Sequence, residues 1–153
     1  MLPGAVAATL AAAKALAVGK ARPQDFVLGC DQILTFEGEI VAKSKSLAEA
    51  KAVLKSLRGK PHRLVSAAAL VKDGTVCWQT YETAVMHMRS FDDVFLDAYL
   101  QGESTGILSA VGCYRLEGRG IQLFDRVEGD YFTVLGLPLM PLMGALREEG
   151  LIP

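Results

Sequence analysis

The stretch Phe26-Val27-Leu28-Gly29-Cys30-Asp31-Gln32-Ile33-Leu34-Thr35-Phe36 decides how the chain is read. Two apolar runs, 26–30 and 33–36, flank one acidic and one amide residue, and a continuous apolar run of this kind predicts a strand buried on both faces. Asp31 then stands at the carboxyl end of the first run, where open α/β sheets place their ligands. Turn chemistry is the commoner reason for an aspartate at a strand end, so the residues alone leave both roles open.

Outward from this stretch, Glu37-Gly38-Glu39 predicts a turn and Ile40-Val41-Ala42 a returning hairpin strand. Lys43, 12 residues after Asp31, is placed to come back beside it as a phosphate-binding lysine, although a solvated surface lysine reads the same way. On the other side, Leu2 to Val18 is rich in Ala, Leu and Val, with Pro3 where a first-turn proline is tolerated, and predicts a helix. Lys14 interrupts its apolar run and no basic segment precedes it, which argues against a signal peptide or a membrane span.

Further along, Ser46 with Glu49 predicts a capping box for a helix carrying Ala50, Val53, Leu54 and Leu57 and stopped by Gly59. Residues 63–72 and 75–89 predict an antiparallel ribbon closed by Asp73-Gly74. Ser90 with Asp93 predicts the start of a third helix that Gly102 ends, and 103–112 reads as loop. Val111–Leu116 and Ile121–Val127 read as extended stretches around Glu117-Gly118-Arg119-Gly120, and a last helix runs from about Pro138 to Glu149. The expected fold is one α/β domain over residues 1–153, a twisted mixed β-sheet flanked by helices.

Composition narrows the function. The chain has 153 residues, of which 51% are hydrophobic and 22% charged, enough to bury roughly two-thirds of its unfolded surface without metal or disulfide staples. Its 16 Lys and Arg against 17 Asp and Glu leave a net charge of −1, too little positive charge for a nucleic-acid or membrane-surface binder. Cys30, Cys77 and Cys113 are an odd number without Cys-x-x-Cys spacing, which fits a reducing cytoplasm and buried, inert thiols. His62 and His87 lack a partner at zinc-ligand spacing, and Ser66, Ser104 and Ser109 lack the context of a nucleophile elbow.

Read together, Lys14-Ala15-Leu16-Ala17, Leu28-Gly29-Cys30-Asp31-Gln32, Ala42-Lys43, Leu57-Arg58-Gly59-Lys60-Pro61-His62, Glu82-Thr83, Glu117-Gly118-Arg119-Gly120 and Glu128-Gly129-Asp130-Tyr131-Phe132-Thr133-Val134-Leu135-Gly136-Leu137-Pro138-Leu139 occur in one order. That order resembles the Maf family from about Ala7 to Gly150. The resemblance implies a fold related to the inosine-triphosphate pyrophosphatases and hydrolysis of a nucleoside triphosphate to monophosphate and pyrophosphate. It implies that Asp31 activates water or holds a divalent metal, Mg²⁺ or Mn²⁺, with Glu117 as a second metal ligand. Lys14, Lys43, Gln32 and Glu117 would bind substrate, and a homodimer is the expected assembly.

Within the family, Asp31-Gln32 and Glu117-Gly118 resemble the subgroup acting on methylated guanosine triphosphate rather than the one acting on dTTP and UTP. A carboxylate accepts from the donor edge of guanine better than an amide oxygen does. The family's opening strand and its Ser-x-Ser-Pro-Arg-Arg motif have no counterpart in these residues, which suggests an N-terminally shortened member. A dTTP/UTP-type enzyme, or an inactive nucleotide-binding or cell-division-regulating protein, is the alternative.

Overall fold

The computed structural model describes every residue from Met1 to Pro153. Its elements are α1 (Pro3–Gly19), β1 (Val27–Phe36), β2 (Glu39–Val41), α2 (Leu47–Leu57), β3 (Pro61–Lys72), β4 (Thr75–Met88), α3 (Asp93–Glu103), β5 (Phe124–Glu128), α4 (Tyr131–Leu135) and α5 (Leu139–Glu148). Three 3₁₀ segments lie between α3 and β5, at Ser104–Ser109, Val111–Cys113 and Arg119–Leu123. The strands form one sheet in the order β2-β1-β3-β4-β5.

The sheet is antiparallel, flanked by helices, where the sequence suggested a mixed one. Hairpins account for two of its pairings, β1 with β2 and β3 with β4. Glu37-Gly38 and Asp73-Gly74 all take positive φ, 51° and 88° in the first pair and 50° and 72° in the second, the two-residue geometry that returns a strand beside its predecessor. The first turn sets Leu34 opposite Val41 and Phe36 opposite Glu39. At the other edge Val85 pairs with Glu128 and Met86 with Val127, with an irregularity after His87.

The chain divides into two compact units: Met1–Gln32, Val65–Thr83 and Asp130–Pro153 make the first, and Ile33–Leu64 with Ala84–Gly129 the second. In the first, α1 buries Ala7, Ala8, Ala11, Ala12 and Ala15. The helix lies almost on the backbone of β1: a Cβ on Gly29 would collide with the Ala11 carbonyl and stand 2.9 Å from the Ala15 Cβ. The opposite face of the same strands carries α4 and α5, where Leu70, Leu142 and Ala145 pack with Trp78, Leu137 and Met143. Residues 64–71 of β3 are all buried, as a strand covered on both faces requires.

In the second unit, α2 starts at Ser46, whose hydroxyl accepts from the Glu49 N–H at 3.2 Å. The return arm of the box reaches one residue earlier than expected, Glu49 accepting from the Lys45 N–H at 2.7 Å. Helix α2 packs against α3, and Arg58 and Lys55 both reach Asp93 across that seam.

Several expectations are corrected. Asp31 lies in the middle of β1, not at a strand end, because the two apolar runs form one continuous strand. The cap of α3 is Asp92, which accepts from Phe95 N–H at 2.8 Å, while Ser90 Oγ lies against Gly59. Val111–Leu116 is no strand: Gly112 and Cys113 take φ of 75° and 62°, which turns the chain on itself. Residues 119–123 form a 3₁₀ turn, and only Phe124–Glu128 is extended. Tyr131–Leu135, to which the sequence reading gave no element, is a short helix capped by Asp130 and closed by Gly136 at φ 112°. Cys77 is exposed rather than buried.

Candidate active site

The close approach of α1 to β1 decides what Asp31 meets. Alternation along β1 gives Asp31 the same face as Gly29, and that face is covered by α1. Lys14, one residue from Ala15 on that helix, places its Nζ 2.5 Å from Asp31 Oδ1 and 3.2 Å from the Cys30 carbonyl oxygen, to both of which it donates. The Asp31 side chain keeps 12% of its surface and that of Lys14 keeps 59%, so the pair has a sheltered anion and an open cation. Burial pushes the neighbouring Cys30 thiol above its usual range, against the opposing pull of Lys14.

Gln32 faces the other way. Its Nε2 donates to Ser66 Oγ at 2.9 Å, to the Val134 carbonyl at 2.9 Å and to the Thr133 carbonyl at 3.1 Å. Ser66 Oγ donates to the same Thr133 carbonyl at 2.6 Å. Thr133 in turn gives its hydroxyl to Glu82 at 2.9 Å and its N–H to Asp130 at 3.1 Å. Ser66 and Thr133 are fully buried. Three strands thus hold one short helix. Sequence reasoning weighed Ser66 only as a nucleophile and set it aside, and it met Glu82 and Thr133 only as members of family-like motifs.

Lys43 and Glu117 belong to the second unit. Lys43 is exposed just after β2, and the next residue, Ser44, is buried and accepts from the Cys113 thiol at 3.2 Å. Burial raises that thiol above its usual range, so it serves as a neutral donor. Glu117 is exposed in a turn closed by the Gly118 N–H donating to the Arg115 carbonyl at 3.1 Å. Nearby, Tyr99 donates its hydroxyl to the Cys113 carbonyl at 2.9 Å. His62 sits 2.7 Å from the Tyr114 hydroxyl, packed between Tyr114 and Phe124, and its Nδ1 is buried without a partner.

With this geometry in hand, comparison with known proteins is decisive. Residues 2–149 match the family described as Maf-like protein. The chain belongs to the Maf-like family. A nucleoside triphosphate pyrophosphatase from Granulibacter bethesdensis is 47% identical over 143 residues, covering 94% of this chain and 73% of that protein. A 7-methyl-GTP pyrophosphatase from Rhizobium etli is 45% identical over 150 residues, 98% of this chain and 75% of that protein, and one from Mesorhizobium japonicum is 46% identical over the same length.

The Maf-like block from Gly129 to Leu139 now has a structural meaning: Asp130 caps α4, Thr133 ties it to Glu82, and Gly136 ends it. No helix is long and apolar enough to cross a membrane. Nor do three or more His, Cys, Asp or Glu side chains converge to hold a metal ion. Magnesium is commonly bound by one or two carboxylates together with substrate phosphates. Asp31 is the one carboxylate beside Lys14 that such a shared arrangement could use.

Proposed function

We propose that the chain is a nucleoside triphosphate pyrophosphatase whose preferred substrate is a methylated guanine nucleotide, with 7-methyl-GTP as the type. The observation that carries the reading is the Lys14–Asp31 pair, a sheltered carboxylate and an exposed ammonium 2.5 Å apart, in a chain whose relatives bear those names. Lys14 gives up its carboxylate to a phosphate oxygen when the nucleotide arrives. Asp31, so released, accepts the proton of a water that attacks the α-phosphorus. The bond to the bridging oxygen breaks, pyrophosphate leaves with the bonding electrons, and the monophosphate remains. Lys43 is assigned to the phosphates and Glu117 to the base by the family resemblance.

Mg²⁺ or Mn²⁺ held by Asp31 and the phosphates would neutralise charge on the triphosphate. A cytoplasmic location fits the free thiols Cys30, Cys77 and Cys113, and a homodimer completes the reading. The near-neutral charge speaks against a nucleic-acid partner.

Asp31→Asn tests the assignment, because an amide neither takes a proton nor binds a cation well. Pyrophosphate release should fall at least ~100-fold while the circular dichroism spectrum stays that of the parent. Turnover equal to the parent's would remove Asp31 from the chemistry. A parent with no turnover on any triphosphate would favour a non-catalytic nucleotide-binding protein.

A further inference from the structure

Asp31 and Gln32 are consecutive residues of one strand, yet they serve opposite faces of the sheet. Asp31 meets α1 through Lys14, and Gln32 meets α4 through Ser66, Thr133 and Val134. The side-chain amide of Gln32 has two hydrogens, and three acceptors already lie within 3.1 Å of its nitrogen. No donor is left over for a base or a phosphate. Two of those acceptors are backbone carbonyls of α4, and the third, Ser66 Oγ, itself donates to one of them. Helix α4 is held again from β4 by the hydroxyl of Thr133 on Glu82.

We propose that Gln32 is a positioning residue for Asp31 that acts through α4 and makes no contact with the nucleotide. The proposal rests on the pyrophosphatase reading for the role of Asp31. It differs from the substrate contact that the family resemblance implies for Gln32. The physical basis is leverage within one strand. The two side chains leave adjacent Cα atoms of one strand, so holding the Gln32 side chain on a buried helix narrows the φ and ψ open to β1 there, and with them the twist at Asp31. The direction of the carboxylate toward Lys14 follows from that twist. Threonine cannot replace glutamine here, since its hydroxyl carries one hydrogen on a side chain two heavy atoms shorter.

The test compares the parent with Gln32→Ala, Gln32→Thr and Ser66→Ala, the last of which leaves the two carbonyl bonds of Gln32 in place. On 7-methyl-GTP, GTP, dTTP and UTP the two Gln32 variants should lose about 10- to 100-fold in kcat with KM within about threefold, and the order of substrates should not change. Ser66→Ala should move the same way by less. Amide exchange at Gly136 and Leu137, which donate to the Phe132 carbonyl, should quicken in step. The NMR chemical shifts of the Lys14 and Asp31 side chains, compared at one fixed pH, should move in Gln32→Ala as their pairing loosens.

A changed order of substrates, or a raised KM with kcat intact, would make Gln32 a ligand contact and overturn the proposal. Faster exchange with unmoved Lys14 and Asp31 side-chain shifts would reduce it to a purely structural amide, and that too would overturn it. The side-chain shifts do not depend on turnover. A parent without pyrophosphatase activity would therefore end the functional reading, while the Lys14 and Asp31 shifts would still decide the role of Gln32.

Discussion

Lys14 holds Asp31 from the open side, and the asymmetry of their exposure sets what the pair is worth. A cation with 59% of its side chain exposed gives little stability through such a pair, because water screens it. Under the pyrophosphatase reading proposed above, its value lies in exchanging partners. Lys14→Ala should weaken triphosphate affinity about tenfold at low ionic strength, as expected for one charge-assisted hydrogen bond, and the loss should shrink as salt rises. Titration calorimetry at two salt concentrations reads this directly, and equal affinity in variant and parent would return Lys14 to the solvated surface.

His62 carries a second prediction at the same scale. Burial, with some help from the charge of His87, pushes its pKa down to about 4 from 6.5. The unfolded chain therefore binds a proton between these values that the folded chain does not, so stability falls as the pH drops from about 6.5 towards 4. The loss is on the order of 3 kcal/mol. His62→Phe should flatten the dependence over that window in urea titrations. A variant that kept the parent's slope would assign it to other groups.

Among the elements, α1 and β1 show what was legible and what was not. The helix could be read from its Ala, Leu and Lys content, and β1 from its apolar runs. Their contact could not, because Gly29 says only that some neighbour approaches closely and the neighbour is set by tertiary packing. The same limit hid Asp31's position within a continuous strand. It also hid α4, whose five residues carry too short a periodic signal beside Gly129 and Gly136. Cys113 and Gly112 defeated a strand assignment through backbone angles that no hydrophobic pattern reports. For the site, residue patterning alone left Asp31 and Lys43 between functional and ordinary roles, and the family resemblance supplied the rest. Gly29→Ala should cost about 1–3 kcal/mol by overpacking, since its Cβ would strike the Ala11 carbonyl. Turnover should fall with it because Lys14 rides on α1. Urea midpoints and pyrophosphate release measure the two effects, and a neutral substitution would mean that α1 can shift freely.

For the whole molecule, Asp31 and Lys14 lie in one compact unit and Glu117 in the other. Under the proposed reading, in which Asp31 serves the chemistry and Glu117 the base, the two roles should be separable by mutation. Glu117→Gln should narrow or reverse the preference for 7-methyl-GTP and GTP over dTTP and UTP, because an amide both donates and accepts where the carboxylate only accepts. Its best substrate should still be turned over at an Asp31-dependent rate. Assays with all four nucleotides side by side would show it. A parent that prefers the pyrimidine nucleotides, or a variant with the parent's ranking, would move the reading to the dTTP/UTP type.

The clamp on α4 also has a history in time. Gln32 and its acceptor carbonyls on Thr133 and Val134 are 101 and 102 residues apart. A ribosome adding about 5–20 residues per second takes roughly 5–20 s to make the second half of that bond after the first. The β3–β4 hairpin, closed by its two-residue turn, can form within microseconds of leaving the exit tunnel. Once β2 and β3 have emerged, the strand bearing Asp31 has both its sheet neighbours and still lacks its anchor. The neighbouring strands are thus made before the helix that Gln32 holds, and those bonds can close only after Val134 has been made.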